Sequence, residues 1–220
     1  MNFFGHAALA AGYFAPQSPQ PRELALLCSG SMLPDFVSML RLSRPDVVDP
    51  SLARGVSFHH LTDRAFHELA SFHDLSRHAF AWLSQNGVPR GPARAIAHVG
   101  IEILLDEILA ADAFARESYL AALAAPLDAA VSFAVDGDAG RLAALRAMLL
   151  ERASSQTPTP ELVAQRLRRT LSGRPRLAVD AALEPRLSAW VELTRPLVAS
   201  TAPVLLATLH AQLANCARPE

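Results

Sequence analysis

Lysine is missing from this chain altogether, so arginine alone makes up its 20 basic residues. Without lysine there is no Schiff-base former and no phosphate-loop lysine, which removes several enzyme classes. Cysteine is almost as scarce. The two present, Cys28 and Cys216, are isolated and far apart, and they frame neither a disulfide scaffold nor a zinc knuckle. No uninterrupted apolar run reaches about 18 residues, the length of a membrane span. The apolar start, MNFFGHAALAAGYFA, lacks a basic leader and carries His6 early, so no signal peptide is expected. A net charge of −1 gives no bulk attraction to nucleic acid or an anionic membrane. These absences lead to the expectation of a cytoplasmic protein with neither nucleic acid nor a membrane as partner. Whether it forms a homo-oligomer is left open.

What is present is 51% hydrophobic residues, rich in Ala and Leu, over 220 residues. That composition and length suit an all-α protein with a sizeable core. The hydrophobic periodicity predicts helices over 2–12, 31–42, 50–85, 91–122, 126–135, 138–153, 160–172 and 184–214, the last broken near Pro196 and Pro203. Breaks fall at APQSPQP (15–21), SRPDVVDP (43–50), QNGVPRGP (85–92), DGD (136–138) and SSQTPTP (154–160). No strand pair with hairpin chemistry is found. The expectation is one helical domain over 1–220 of about seven to nine helices, with 154–160 a loop before a C-terminal extension.

Chemistry concentrates on two polar stripes. Wound at about 100° per residue, 58–83 gathers Leu61, Ala65, Leu69, Phe72, Leu75, Ala79 and Leu83 on one side. His59, Asp63, His67, Asp74 and His78 gather opposite. By periodicity this is the solvated face of a surface helix. By composition it is not, because His and Asp are poor helix formers and ordinary metal ligands. Residues four apart rise only about 6 Å, so His59 with Asp63, or Asp63 with His67, can share an ion.

The second stripe, His98, Glu102 and Asp106, repeats the spacing inside a helix that is apolar almost all round. Such a helix is buried, and a buried carboxylate has to be neutralised or given a cation. An internal pair with Arg94 or Arg64 would serve, as would a site facing the first stripe. His6, in NFFGHAAL, and Asp35, in GSMLPDFVSML, also sit in apolar settings. Together His6, Asp35, His59, Asp63, His67, Glu102 and Asp106 make a mixed nitrogen and oxygen set suited to Mn²⁺, Fe²⁺, Mg²⁺ or Zn²⁺. Further along, QRLRRTLSGRPR (165–176) clusters Arg166, Arg168, Arg169, Arg174 and Arg176 with no acid among them. It reads either as a solvated helix end or as a surface for phosphate or an acidic protein.

The order of these motifs resembles the acyl carrier protein phosphodiesterase family, all-α proteins related to the HD-type metal-dependent phosphohydrolases. MNFFGHAALA is similar to that family's Met-Asn-Phe-x-x-His, GSMLPDFV to its Gly-x-Leu-x-x-Asp-Phe-Val, and GVSFHHLTD to its Gly-x-x-x-His-Arg-x-x-Asp. EILLDEILA stands where the family has an Asp, then Asp-His four residues later. The resemblance covers roughly 1–122. This chain departs from it at His60 for Arg, His67 for Asp, Glu102 for Asp and Glu107 for His.

The resemblance implies an HD-like fold and hydrolysis of the phosphodiester that joins 4′-phosphopantetheine to a carrier-protein serine. It implies Mn²⁺ first among divalent metals, held by His6, Asp35, His59, Asp63 and Asp106. Glu102 and His67 would come second, as catalytic groups in the role of general base or as further ligands. His60, turned about 100° from His59, joins Arg166, Arg168 and Arg169 as contacts to substrate or an acidic carrier protein. The rival reading is a homologue with altered catalysis, a binding protein whose polar residues form an internal network. A carboxylate-bridged di-metal bundle is disfavoured because no Glu-x-x-His motif occurs on these helices.

Overall fold

A computed structural model of the chain describes residues 1–17, 20–152 and 158–216. The fold is all-α, with nine α-helices and two three-residue strands among the described residues. The expected loop at 154–160 falls mostly outside them, since 154–157 are not described. The chain divides into two compact units, one of Asn2–Arg64 and Leu109–Ser155, the other of Met1, Ala65–Ile108 and Gln156–Glu220.

The first unit holds α1 (Phe3–Phe14), α2 (Pro21–Leu40), β1 (Pro45–Val47), α3 (Pro50–His67, up to Arg64), α6 (Ala113–Ala124), β2 (Val131–Phe133) and α7 (Asp138–Glu151). Asn2 caps α1 by accepting from the Phe3 N–H at 3.0 Å, and the helix buries almost every side chain from Phe4 to Phe14. Asp49 caps α3 in the same way through Ser51 and Leu52, with Pro50 pre-set for the first turn. α2 and α3 touch backbone to backbone at two glycines. A methyl group on Gly30 would lie 2.1 Å from the Leu52 carbonyl oxygen, and one on Gly55 would lie 2.2 Å from that of Leu27. Only glycine allows this approach.

The second unit holds α4 (Ala70–Gln85), α5 (Arg90–Leu109, up to Ile108), α8 (Pro160–Ser172), a 3₁₀ turn (Ala181–Leu183) and α9 (Glu184–Cys216). Its core centres on Trp190, which is fully buried against Gly100. A methyl group there would meet the indole at 2.3 Å. Arg195 ties α9 to α5 through Glu107 at 3.0 Å and donates to the Pro158 carbonyl at 2.8 Å.

Four expectations about elements are corrected. The helix expected over 50–85 turns at Glu68 and Leu69, where Leu69 adopts extended backbone and buries its side chain. The one expected over 91–122 is interrupted at Asp112, whose side chain accepts from the Ala115 N–H at 2.7 Å and starts α6. The helix expected over 126–135 does not form, and Val131–Phe133 within it make β2, paired antiparallel with β1 from Pro45↔Phe133 to Val47↔Val131. An apolar run this short has no period long enough to distinguish strand from helix. Finally, α9 runs unbroken through Pro196 and Pro203. Both prolines and both residues four before them, Glu192 and Ala199, are exposed. The carbonyls that lose an N–H partner therefore belong to residues on the exposed side of the helix, which keeps the cost of each proline low.

Two helical stretches, Pro21–Leu40 and Ala181–Asn215, are long and apolar enough to cross a membrane by length and composition. Both are interspersed with polar and charged residues, so neither holds an uninterrupted apolar run of that length. Half of the first stretch is buried in protein, as in any core helix. The second leaves Leu193, Leu197 and Val204 exposed on one side of α9.

Candidate metal centres

In the first unit, α1, α2 and α3 bring His6, Asp35 and His59 together, each offering a ligand atom within 4.8 Å of the others. His6 is wholly buried and His59 nearly so, while Asp35 is half-buried. The hydrogen bonds around both rings decide their tautomers. His59 Nδ1 lies 2.9 Å from the Ser31 carbonyl oxygen, which can only accept, so Nδ1 carries the proton. His6 Nδ1 lies 2.9 Å from Thr62 Oγ1, and the Thr62 hydroxyl donates to the Phe58 and His59 carbonyls, each at 3.0 Å. With its hydrogen engaged there, Thr62 accepts from His6 Nδ1–H. Both imidazoles therefore present Nε2 as the nitrogen with the lone pair. An Nδ1–H held by an oxygen acceptor is how proteins orient a metal-binding imidazole.

The backbone contact at Gly30 and Gly55 makes this arrangement reachable, because it brings the Ser31 carbonyl on α2 within range of a ring on α3. Pro34, inside α2, removes the N–H that would bond the Gly30 carbonyl, so the helix ladder is interrupted in that same turn. Burial pushes the His59 imidazole down to about 4, against the opposing pull of the Ser31 hydrogen bond and the Asp63 charge. At neutral pH the ring is uncharged, the form that binds metals. Asp63 sits at the margin, with Oδ1 3.8 Å from His6 Nε2 and 41% of its side chain exposed.

In the second unit a different set converges. His67 Nε2, His98 Nε2 and Glu102 Oε1 form a triangle, 3.1 Å from His67 to His98, 3.1 Å from His98 to Glu102 and 3.4 Å from His67 to Glu102. The Met1 α-ammonium donates to the same Glu102 oxygen at 3.0 Å. Burial alone would raise the Glu102 pKa, but His67, His98 and the ammonium together hold it well below the usual carboxylate range. The two imidazoles lie 6° from parallel, and Phe72 packs at right angles to both with its centroid 5.3 Å from each.

Of the five expected metal ligands, the structure gathers His6, Asp35 and His59, leaves Asp63 at their edge, and places Asp106 in the unit of the other cluster. Glu102 and His67, expected as catalytic groups, belong to that other cluster. Of the two kinds of partner expected for Glu102, an arginine or the first stripe, the structure supplies the second through His67, together with His98 and the Met1 ammonium. His60 is exposed. Arg168 pairs with Glu184, while Arg166 and Arg169 are exposed on α8. His98, Thr62, Ser31 and Met1 were not among the expected site residues. His98 had a readable signal, four residues before Glu102 on the same stripe. The Ser31 backbone carbonyl had none.

No protein-family model, curated protein or solved structure matches this chain. The residues and their geometry therefore carry the functional argument.

Proposed function

We propose that the chain is a metal-dependent hydrolase of phosphodiesters, with the ion held by His6, Asp35 and His59. The observation that carries this reading is the pair of buried imidazoles whose Nδ1–H groups are both engaged by oxygen acceptors, with a carboxylate beside them. A core histidine with no ligand role needs no such matched orientation, and two together with a carboxylate form a donor set for Mn²⁺, Fe²⁺ or Zn²⁺. Mg²⁺, which prefers oxygen ligands, suits it less. A divalent ion in such a set acidifies a bound water and polarises a phosphoryl oxygen. Asp63, half-exposed next to His6, is placed to take the proton from the attacking water.

The motif order further suggests the phosphopantetheine–serine diester of an acyl carrier protein as substrate. Arg166 and Arg169, exposed on α8, suit the acidic surface of such a partner.

Elemental analysis of protein purified without chelator, paired with hydrolysis of a simple aryl phosphodiester and of a holo carrier protein under added Mn²⁺, tests this. The expected result is bound metal and diester hydrolysis, with the activity and the ion of the His6, Asp35 and His59 set lost in His59→Ala. Hydrolysis of the aryl diester alone would keep the activity and remove the carrier protein as substrate. Metal content and activity unchanged in His59→Ala would refute this site, and a protein that hydrolyses neither diester is the binding protein of the rival reading.

A further inference from the structure

The triangle of His67, His98 and Glu102 cannot be satisfied by hydrogen bonding alone. It has three short edges, between two imidazole nitrogens and one carboxylate oxygen. Each nitrogen carries at most one hydrogen, and the carboxylate carries none when ionised. If both Nε2 atoms are protonated, both can donate to Glu102, but two N–H groups then oppose each other across the 3.1 Å edge between the rings. If only one is protonated, a lone pair on the other nitrogen faces the carboxylate oxygen. Either way one edge is repulsive.

A single cation satisfies all three at once, because it accepts a lone pair from each corner. We infer that His67, His98 and Glu102 bind a divalent transition-metal ion in the second unit, in addition to the site proposed for His6, Asp35 and His59. The dimensions agree. A circle through the three atoms has a radius of about 1.9 Å, so an ion at the usual bond length of about 2.1 Å sits roughly 1 Å off their plane. Two imidazoles and a carboxylate on one face leave the opposite positions for water or a ligand. Glu102 has a second oxygen, Oε2, to receive the Met1 ammonium when Oε1 takes the ion. Phe72, set against both rings, holds them parallel before any ion arrives.

A place for a ligand adjoins the His98 corner. His98, with 45% of its side chain exposed, lines a cleft of about 540 Å³ together with His73, Arg77, Phe80 and Arg94. Arg77 pairs with Asp74, whereas Arg94 has no ion-pair partner among the described residues. A guanidinium and an apolar ring lining the same cleft as a metal-binding imidazole suit a small anion, phosphate or carboxylate, attached to an apolar group. Binding of the anion depends on the bound ion.

Titration of chelator-stripped protein with Co²⁺, followed by its visible absorption and by calorimetry, reads the site directly. Wild type should take up an ion that His98→Ala binds at least about tenfold more weakly. His59→Ala should keep it, so failure of this inference and failure of the proposed hydrolase site give different patterns. Inorganic phosphate should perturb the Co²⁺ spectrum of wild type and leave that of Arg94→Ala unchanged. Because His98 is half-exposed, its alanine variant is expected to fold, and a far-ultraviolet melt checks that. Unchanged Co²⁺ affinity and stoichiometry in both His98→Ala and Glu102→Gln would overturn the inference, as would a His59→Ala variant that binds no Co²⁺.

Discussion

Replacing His59 with asparagine in chelator-treated protein should flatten the acid side of the stability profile. The His59 ring is 6% exposed, and burial pushes its pKa from 6.5 down to about 4. Above both values the imidazole is neutral folded or unfolded, and its titration contributes nothing to stability. As pH falls through 6.5 the unfolded chain takes up a proton that the folded chain resists. Stability therefore drops continuously until the folded ring itself protonates near pH 4. The full loss is about 3 kcal/mol, of which about 2 kcal/mol falls between about pH 7.5 and about pH 5. Asparagine does not titrate, and its amide can still donate to the Ser31 carbonyl. Urea unfolding of wild type and His59→Asn at those two pH values isolates the effect, because every other titrating group is common to both. Wild type should lose about 2 kcal/mol more than the variant. Equal losses would mean that the ring is hydrated in the folded protein, and the buried His6–Asp35–His59 cluster would fall with that finding.

Two further outcomes follow from contacts around the same cluster. Thr62→Val removes the acceptor for His6 Nδ1–H while nearly keeping shape, so the affinity for a divalent ion should fall by about 10- to 100-fold with little change in far-ultraviolet signal. An unchanged affinity, read by calorimetry, would show that the His6 tautomer is not set by Thr62. Gly30→Ala drives a methyl group into the Leu52 carbonyl and should destabilise by about 1–3 kcal/mol or more, whereas Gly12→Ala, with no atom within 4 Å of the added carbon, should stabilise by about 0.5–1 kcal/mol. Thermal melts of the pair check this, and equal melting temperatures would refute the backbone contact between α2 and α3.

Much of the helical layout was legible in residue order, because caps and breaks act locally. Pro50 after Asp49 and Pro160 after Thr159 start helices by chemistry within one turn. The cap at Asp112 was equally local, yet the apolar residues running past it masked the turn. α9 shows the opposite limit. Its prolines forecast breaks, but the price of a proline depends on where its orphaned carbonyl points, which is a tertiary fact.

The sequence by itself determined that His and carboxylate residues would recur every four positions on helices, with one such stripe in apolar surroundings. It determined this because helical period and burial pattern are written in adjacent residues. Only the tertiary structure decided how those residues are shared out. His59 and His67 stand on one stripe, yet His59 joins His6 and Asp35, while His67 ends its helix and joins His98 and Glu102. Periodicity fixes the direction in which a side chain leaves its own helix. What waits there, whether the Ser31 carbonyl, the Thr62 hydroxyl or the Met1 ammonium, depends on how distant segments pack.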